Sequence, residues 1–227
     1  MHAVGIVAAA GSGLRLGADR PKALVPLDGR ALVCWAVDAL HAGGVTDVVV
    51  AVPADEHAAF AAVLPADVRL VAGGETRTAS VRAALEATSG AAGAGPDVVL
   101  VHDAARPLTP PAVVTRVLAA LAGGALAVVP VLPVVDTTVV VDGDGGISGS
   151  LPREALRRVQ TPQGFDRTTL VAAYAALDPG ADPATFTDDA AVVRAAGIPV
   201  MTVPGDERAA KITVAHDLAV AELQVRA

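Results

Sequence analysis

A glycine-rich loop that follows the first apolar segment contains the residues best suited to chemistry. It reads Ala8-Ala-Ala-Gly11-Ser-Gly13-Leu-Arg15-Leu-Gly17-Ala-Asp-Arg-Pro21-Lys22-Ala23. Small residues let the backbone approach a ligand closely, and successive N–H groups can enclose an anion. Arg15 and Lys22 add two cations to the same loop. This combination predicts a binding site for a polyphosphate with its metal ion.

Two other glycine-loop motifs fit less well. A P-loop requires Gly-Lys-Ser/Thr at its end, whereas Gly17 is followed by Ala18. A dinucleotide-binding fingerprint requires a third glycine where this chain has Leu16. The remaining alternative is a strand–helix turn in which the glycines serve only the backbone geometry. Arg15 and the Pro21-Lys22 pair favour the anion site over that alternative.

The composition of the 227 residues limits the possible functions. With 17 basic and 24 acidic residues the net charge is −7, which argues against general binding to nucleic acids or anionic membranes. The single cysteine, Cys34, excludes an intrachain disulfide and a multi-cysteine metal site. No apolar stretch has the roughly 20 residues of a membrane span, and the apolar start has no basic leader. We therefore expect a cytoplasmic location.

Lysine is rare in this chain. Lys22 and Lys211 are the only lysines among the 17 basic residues, and the others are arginines. Where arginine supplies nearly all positive charge, a retained lysine favours a position that needs a compact ammonium group. Chance survival of two surface lysines is the alternative.

Short β-branched segments alternate with alanine-rich helical segments over most of the chain. Near-continuous apolar strands indicate a parallel sheet covered on both faces, and the alternation indicates a doubly wound α/β fold. Ligands of such folds lie beyond the carboxyl ends of the strands. The predicted strands are Val4–Ala8, Asp47–Val52, Val68–Val71, Val98–Val101, Leu126–Pro130 and Val200–Val203. The predicted helices are Ala31–Ala42, Glu56–Leu64, Thr78–Thr88, Pro110–Ala122, Arg167–Leu177, Asp188–Ala196 and His216–Val225.

The alternation of strands and helices breaks after Pro130. Val134–Val141 predicts a strand, Asp142–Gly146 a turn and Ile147–Leu151 a second extended segment, which together make a hairpin. Because a two-stranded arm is only marginally stable alone, we expect the β-arm, residues 134–160, to pack on another subunit. The chain, residues 1–227, is predicted to be one domain that carries this arm.

The glycine loop resembles the signature of sugar-nucleotide and polyol-phosphate nucleotidyltransferases, Ala-Ala-Gly-x-Gly-x-Arg followed by Pro-Lys. Further matching segments follow in order: Gly73-Gly-Glu-Thr-Arg-Thr-Ala-Ser-Val81, Val101-His-Asp-Ala-Ala-Arg-Pro107, Asp136-Thr137, Thr161-Pro-Gln-Gly-Phe165, Thr187-Asp-Asp-Ala190, and Lys211-Ile-Thr213 with Asp217-Leu218. Over nearly its whole length the sequence resembles the 2-C-methyl-D-erythritol 4-phosphate cytidylyltransferase family of non-mevalonate isoprenoid synthesis. The resemblance implies a Rossmann-like nucleotidyltransferase that joins CTP to a polyol phosphate and releases pyrophosphate.

The resemblance also implies a nucleotide site at the glycine loop. Nucleotidyl transfer depends mostly on positioning and on electrostatic stabilisation. The catalytic residues implied are Arg15, Lys22, Lys211 and Asp103, and Mg²⁺ is the expected cofactor, held by phosphate oxygens and by Asp103. The CTP-binding residues implied are Ala9, Ala10, Gly11, Ser12, Gly13, Gly74, Glu75, Ser80 and Asp103. The alternatives are a turn cap for Asp103 and a helix cap for Ser80 or Thr76.

The second substrate, a polyol phosphate, is expected between the main domain and the arm. The residues implied are Thr137, Arg153, Thr161 and Lys211 for its phosphate, and Arg106 and Asp103 for the polyol. Arg153 belongs to the segment that returns from the arm, so an arm that reaches across a homodimer would complete the partner's site. The chain departs from the family at Ala209-Ala210, where Asn-Ile is common, and a looser loop is therefore expected before Lys211.

Several polar residues in these motifs have structural explanations instead. Thr187-Asp188-Asp189 predicts the start of a helix, with Thr187 as its cap, and a metal-ligand role is the less favoured alternative. His102 is predicted to be structural, because a phosphate needs no deprotonation at neutral pH before it attacks. Arg77 is predicted equally to contact a ligand or to form an ion pair.

Two alternative functions remain open from the sequence. A ribitol-5-phosphate cytidylyltransferase shares most of the loops and differs in the length and stereochemistry of the polyol. A non-catalytic nucleotide-binding protein is the alternative from another class. Arg15, Lys22, Asp103 and Lys211 argue against it, because a binding module needs no charges that converge on two substrates.

Overall fold

The computed structural model describes residues 1–11, 16, 20–88, 95–177 and 186–226. Ser12, Gly13 and Arg15 lie outside these residues, so their predicted contacts stay predictions. The strands are β1 Ala3–Ala8, β2 Pro26–Leu27, β3 Arg30–Ala31, β4 Asp47–Val52, β5 Arg69–Ala72, β6 Val98–Asp103, β7 Ala127–Pro133, β8 Val139–Val141, β9 Ile147–Ser150, β10 Arg157–Val159, β11 Gln163–Asp166 and β12 Met201–Pro204. The helices are α1 Leu32–Ala42, α2 His57–Ala61, α3 Arg77–Ala87, α4 Pro111–Ala122, α5 Arg167–Ala175, α6 Asp189–Ala195 and α7 Ala215–Arg226.

The main sheet has the strand order β10-β7-β11-β6-β1-β4-β5, and β12 runs parallel beside β7. β1 is parallel to both β4 and β6, and β4 is parallel to β5. The helices cover both faces of the sheet. One apolar cluster joins the sheet to α1, α2 and α4, and a second cluster joins the other face to α3, α5 and α6. Because side chains alternate along a strand, neighbouring residues of β1 belong to different clusters: Val7 to the first and Ile6 to the second. The predicted doubly wound, mostly parallel α/β fold is confirmed.

β11 was missed from the sequence. This strand, Gln163–Asp166, lies antiparallel between β6 and β7. It is only four residues long and half of it is polar, so it lacks the apolar pattern of the other strands. A Cβ added to Gly164 would lie 2.3 Å from Cγ1 of Val117, so α4 can pack closely on β11 only because this residue is a glycine.

The predicted hairpin is present. β8 and β9 pair antiparallel with each other and form a sheet separate from the main one. The predicted arm range, residues 134–160, also includes β10, which pairs with β7 in the main sheet. None of the described helices is long and apolar enough to span a bilayer.

Candidate active site

A cavity of about 400 Å³ opens where β1 and β6 end and α3 begins. Such a position, beyond the carboxyl ends of parallel strands, is where ligands bind in doubly wound folds. The lining residues are Ala8, Ala9, Ala10, Gly11, Lys22, Ala23, Gly74, Glu75, Thr76, Arg77, Ser80, Asp103, Ala104, Ala105 and Lys211. All the residues predicted to bind CTP that lie in the described ranges are among them. Their contacts with a ligand stay predictions.

Backbone hydrogen bonds position the first wall of the cavity. The N–H of Ala9 donates to the carbonyl oxygen of Ala51 at 2.9 Å, and the N–H of Ala104 donates to that of Ala8 at 3.2 Å. The N–H of Lys22 donates to the carbonyl oxygen of Gly11 at 3.2 Å, which brings the start of the segment Lys22–Leu24 back to the end of β1. Lys22 thereby enters the cavity although eleven positions separate it from Gly11.

The turn before α3 forms the second wall. Thr76 is the cap of α3, because its Oγ1 accepts from the N–H of Ala79 at 3.0 Å. Ser80 is buried, and its Oγ accepts from the N–H of Gly74 at 3.1 Å. A Cβ on Gly73 would lie 2.8 Å from Ser80 Oγ, and one on Gly74 would lie 2.5 Å from the Cβ of Ala79. Because neither glycine has a Cβ, the turn can pack closely against the start of α3. The hydrogen bond between Gly74 and Ser80 holds it there.

Asp103, at the end of β6, lies between two cations. Its Oδ1 accepts from Nε of Arg77 at 3.2 Å, and its Oδ2 accepts from Nζ of Lys211 at 2.8 Å. Burial by itself would raise the pKa of the Asp103 carboxyl group, but the charges of Arg77 and Lys211 outweigh it and hold the pKa well below its usual range. Asp103 is therefore an ionised member of a charge cluster.

Arg77 has a second carboxylate partner, Asp189. Its Nη2 lies 2.7 Å from Oδ2 of Asp189, whose side chain is fully buried, and the hydroxyl of Tyr174 donates to Oδ1 of Asp189 at 2.6 Å. Burial opposes the charge on Arg77, but Asp189 and Asp103 outweigh it and raise the arginine pKa. Of the two predicted roles for Arg77, the structure therefore shows the ion pair, in a residue that also lines the cavity.

Asp189 was missed as a residue of the site. The sequence predicted that Asp188 and Asp189 merely begin a helix, with Thr187 as the cap. The cap is instead Asp188, which accepts from the N–H of Ala191 at 2.8 Å, so the prediction of Thr187 was wrong. The position of Asp189 in a family motif was the one indication in the sequence that it belongs to the site. The sequence does not show that the side chain of Asp189 lies next to Arg77.

His102 and Thr161 form a buried pair under Asp103. Thr161 Oγ1 accepts from the N–H of Asp103 at 3.0 Å, and it lies 2.8 Å from Nδ1 of His102. The tautomer of the imidazole ring determines which of these two atoms donates the hydrogen bond. Burial lowers the pKa of His102 to about 4 and keeps the ring neutral. This arrangement fits the structural role predicted for His102. The Thr161 hydroxyl, which was predicted to contact the polyol phosphate, lies beneath the cavity wall against the backbone of Asp103.

Arg106 and Gln160 hold the loop that precedes Lys211. Arg106 donates from Nη1 to the carbonyl oxygen of Ala209 at 2.7 Å and from Nη2 to that of Val159 at 3.2 Å. The buried amide of Gln160 donates to the carbonyl of Asp206 at 2.8 Å and accepts from the N–H of the same residue at 3.0 Å. Two donors of Arg106 are therefore hydrogen-bonded to the backbone. The loop that contains Ala209-Ala210, where the sequence differs from the family, is held in place by these side-chain hydrogen bonds.

Thr137 and Arg153 lie outside the cavity. Both are exposed in the arm, and Nη1 of Arg153 donates to the carbonyl oxygen of Val135 at 3.3 Å. A single chain therefore does not bring these two residues together with Lys211 and Asp103.

Within the described residues, the donor set does not fit a metal ion held by protein side chains alone. No group of three or more His, Cys, Asp or Glu side chains that could hold a metal occurs in the described ranges. Asp103 faces cations on both of its oxygens, which oppose a further positive charge at the same carboxylate.

Comparison with known proteins decides the family. The family model described as 2-C-methyl-D-erythritol 4-phosphate cytidylyltransferase matches residues 3–227. The chain belongs to this family. A 2-C-methyl-D-erythritol 4-phosphate cytidylyltransferase from Saccharopolyspora erythraea is 52% identical over 228 residues and covers 98% of each chain. One from Nocardia farcinica is 50% identical over 222 residues, which are 96% of this chain and 92% of the relative.

A solved structure supports membership of the cytidylyltransferase family. The crystal structure of the enzyme from Thermus thermophilus matches all of both chains with a TM-score of 0.80 and 38% identity. The resemblance inferred from the sequence motifs is therefore confirmed, together with the nucleotidyltransferase fold.

Proposed function

We propose that this chain joins CTP and 2-C-methyl-D-erythritol 4-phosphate to give 4-diphosphocytidyl-2-C-methyl-D-erythritol and pyrophosphate. The observation that carries the proposal is the meeting of Lys22 and Lys211 in one cavity, in a chain of the cytidylyltransferase family. Lys22 Nζ donates to the carbonyl oxygen of Ile212 at 3.1 Å, so the two lysine-bearing segments are joined directly. A pair of ammonium groups suits two phosphate-bearing substrates better than a single nucleotide.

The chemistry is an in-line displacement at the α-phosphorus of CTP. A phosphate oxygen of the polyol phosphate forms the new P–O bond, the bond between the α-phosphorus and the bridging oxygen breaks, and pyrophosphate leaves with the electron pair. The attacking phosphate is already an anion, so no side chain has to remove a proton. Lys22 and Lys211 hold the two anions together and stabilise the charge that grows in the transition state. Asp103 keeps Lys211 in place before the polyol phosphate arrives.

Mg²⁺ is part of the proposal as a companion of the nucleotide. Hard divalent cations prefer oxygen ligands and are commonly bound through substrate phosphates with few protein ligands. When bound, the ion neutralises phosphate charge. The protein's own contribution is the cation cluster around Asp103, and removal of divalent cations with EDTA is expected to abolish turnover until Mg²⁺ is restored.

The base is expected at the turn before α3. Cytosine has an N4 amino group that donates hydrogen bonds, and backbone carbonyls near Gly74 and Glu75 are suitable acceptors. Ala9 and Ala10 allow a close approach from the opposite wall of the cavity. The hydrogen bond between Gly74 and Ser80 keeps this turn in one conformation.

We also propose a homodimer formed through the arm. Its apolar side chains are solvent-exposed in the single chain, for example Val135, Val141 and Ile147, the last with 73% of its surface exposed. A two-stranded arm with such an exposed apolar surface is expected to pack on a partner. In that arrangement Arg153 and Thr137 contact the polyol phosphate bound to the other subunit.

Subunit mixing tests the homodimer and the shared site together. Lys22→Ala and Arg153→Ala dimers are each expected to have little activity. A mixture that has exchanged subunits at random is expected to recover about a quarter of wild-type activity, because each mixed dimer contains one intact site. No recovery despite demonstrated exchange would place Arg153 in the site of its own chain. A fully active monomer by gel filtration would contradict the dimer itself.

A pyrophosphate-release assay tests the reaction. The enzyme is incubated with CTP, Mg²⁺ and either 2-C-methyl-D-erythritol 4-phosphate or ribitol 5-phosphate. Release with the methylerythritol phosphate is expected. Release only with ribitol 5-phosphate would identify the alternative polyol, and release with neither, together with retained CTP binding, would identify a non-catalytic nucleotide-binding protein.

A further inference from the structure

The two cations on Asp103 are held in different ways. Arg77 reaches Oδ1 of Asp103 from α3, and its guanidinium is also paired with Asp189, whose side chain has no solvent exposure. Tyr174 supports Asp189 from α5 with a hydrogen bond of 2.6 Å. The guanidinium of Arg77 therefore links α3 to β6 and to α6, and α5 supports the carboxylate on α6.

Lys211, by contrast, is in a position from which its ammonium group can leave. It reaches Oδ2 of Asp103 from the loop before α7, and its side chain is 42% exposed at the mouth of the cavity. A lysine has a flexible stem and a strongly hydrated point charge, whereas the planar fork of an arginine favours fixed, paired geometry. An incoming phosphate with two negative charges attracts Lys211 more strongly than a carboxylate that already has Arg77 as a partner.

When the ammonium group of Lys211 moves away, Arg77 is the cation that still forms an ion pair with Asp103. Arg77 lines the same cavity, so an Arg77 without an anchor could turn toward the nucleotide phosphates and release Asp103. Removal of one partner of a buried ion pair is strongly unfavourable, so the pairing with Asp189 keeps Arg77 in place.

We propose that Asp103 is held by one fixed and one exchangeable cation, and that Asp189 is the positioning residue for the fixed one. Lys211 moves from Asp103 to the phosphate of the second substrate, while Asp189 and Tyr174 keep Arg77 on Asp103 so that the carboxylate holds its place. This inference rests on the proposed function for the identity of the phosphate, but the exchange itself requires only an anion at Lys211.

A double-mutant cycle tests the role of Asp189. Asp189→Asn is expected to lower kcat about 10- to 100-fold in the wild-type background, the scale of a misplaced reacting group. In an Arg77→Met background, Asp189→Asn is expected to lower kcat by less than a further factor of about two, because its effect passes through Arg77. An equal further loss in both backgrounds would show that Asp189 acts independently of Arg77, and it would overturn the proposal.

Two further variants keep this test decisive if a double variant folds poorly. Tyr174→Phe retains the ring packing and removes the hydrogen bond to Asp189, and it is expected to lower kcat by several-fold while the KM for CTP changes little. Asp188→Asn removes a charge from the same helix start but keeps a capping side chain, and the side chain of Asp188 accepts hydrogen bonds from Ala191 and Gln163. Its kcat is expected to stay within about twofold of wild type. Equal losses of kcat in Asp188→Asn and Asp189→Asn would contradict the assigned role.

The exchange of Lys211 can be observed without turnover, because the chain contains only two lysines. In protein labelled with ¹⁵N-lysine, the Nζ signals of Lys22 and Lys211 are assigned with Lys211→Arg. We expect the Lys211 signal to shift on addition of 2-C-methyl-D-erythritol 4-phosphate or inorganic phosphate, and to be shifted already in ligand-free Asp103→Asn. If the polyol phosphate is not the substrate, inorganic phosphate still tests the exchange. An unchanged Lys211 signal at saturating phosphate, or in Asp103→Asn, would overturn it.

Discussion

The buried imidazole of His102 leads to a measurable dependence of stability on pH. Burial lowers its pKa from 6.5 to about 4 in the folded protein, whereas an unfolded chain retains a value near 6.5. Between these values the unfolded state binds more protons, so acidification favours unfolding. At about 1.4 kcal/mol for each pH unit, a difference of roughly 2.5 units corresponds to about 3 kcal/mol of unfolding free energy. This stability is present above about pH 6.5 and is lost as the pH falls toward 4.

The measurement is urea unfolding at fixed protein concentration between about pH 4.5 and 7.5, followed by the fluorescence of Trp35. The unfolding free energy of the wild type is expected to fall by about 2 to 3 kcal/mol over this range. His102→Gln, which cannot titrate, is expected to show a shallower slope whatever its absolute stability. His57→Gln, which removes an exposed histidine, is the matched control and is expected to keep the wild-type slope. Equal slopes for wild type and His102→Gln would refute the reasoning. The depressed pKa of Asp103 acts in a different window, below about pH 4.

Three further substitutions test other parts of the structure. Lys22→Ala is expected to lower kcat at least about 100-fold, the scale of one preorganised transition-state contact, and wild-type turnover would mean that the phosphate loop is misassigned. Gly164→Ala places a Cβ against Val117 and is expected to lower the unfolding free energy by about 1–3 kcal/mol. The control Gly149→Ala places its Cβ where no atom lies within 4 Å, so its unfolding free energy is expected to be nearly that of the wild type. Equal effects of the two substitutions in urea unfolding would contradict the packing argument. Gln160→Leu removes the hydrogen-bond partners of loop backbone groups and is expected to cost about 1–3 kcal/mol, and an unchanged thermal midpoint would refute that role.

The sequence by itself determined the parallel part of the fold, the family and most of one wall of the cavity. β4 was predicted with the bounds that the structure has, because a strand buried on both faces has to be apolar, as this one is from Val48 to Val52. Gly74, Glu75 and Ser80 were assigned to the nucleotide site through a family motif, and the structure places them in the cavity wall, where the turn at Gly73-Gly74 has no room for a Cβ. These are short-range requirements, and they leave a pattern in consecutive residues.

Only the tertiary structure decided the electrostatics of the site. Asp103 and Lys211 are 108 positions apart, and nothing in the local sequence of either residue indicates their contact. Asp188 and Asp189 are adjacent and chemically identical, yet one caps its own helix and the other pairs with Arg77. Their difference arises because Asp188 is the extended cap residue outside α6, whereas Asp189 is the first residue of the helix and its side chain reaches the buried guanidinium. Long-range charge pairing depends on how elements are packed together, and that information is absent from any short segment of the chain.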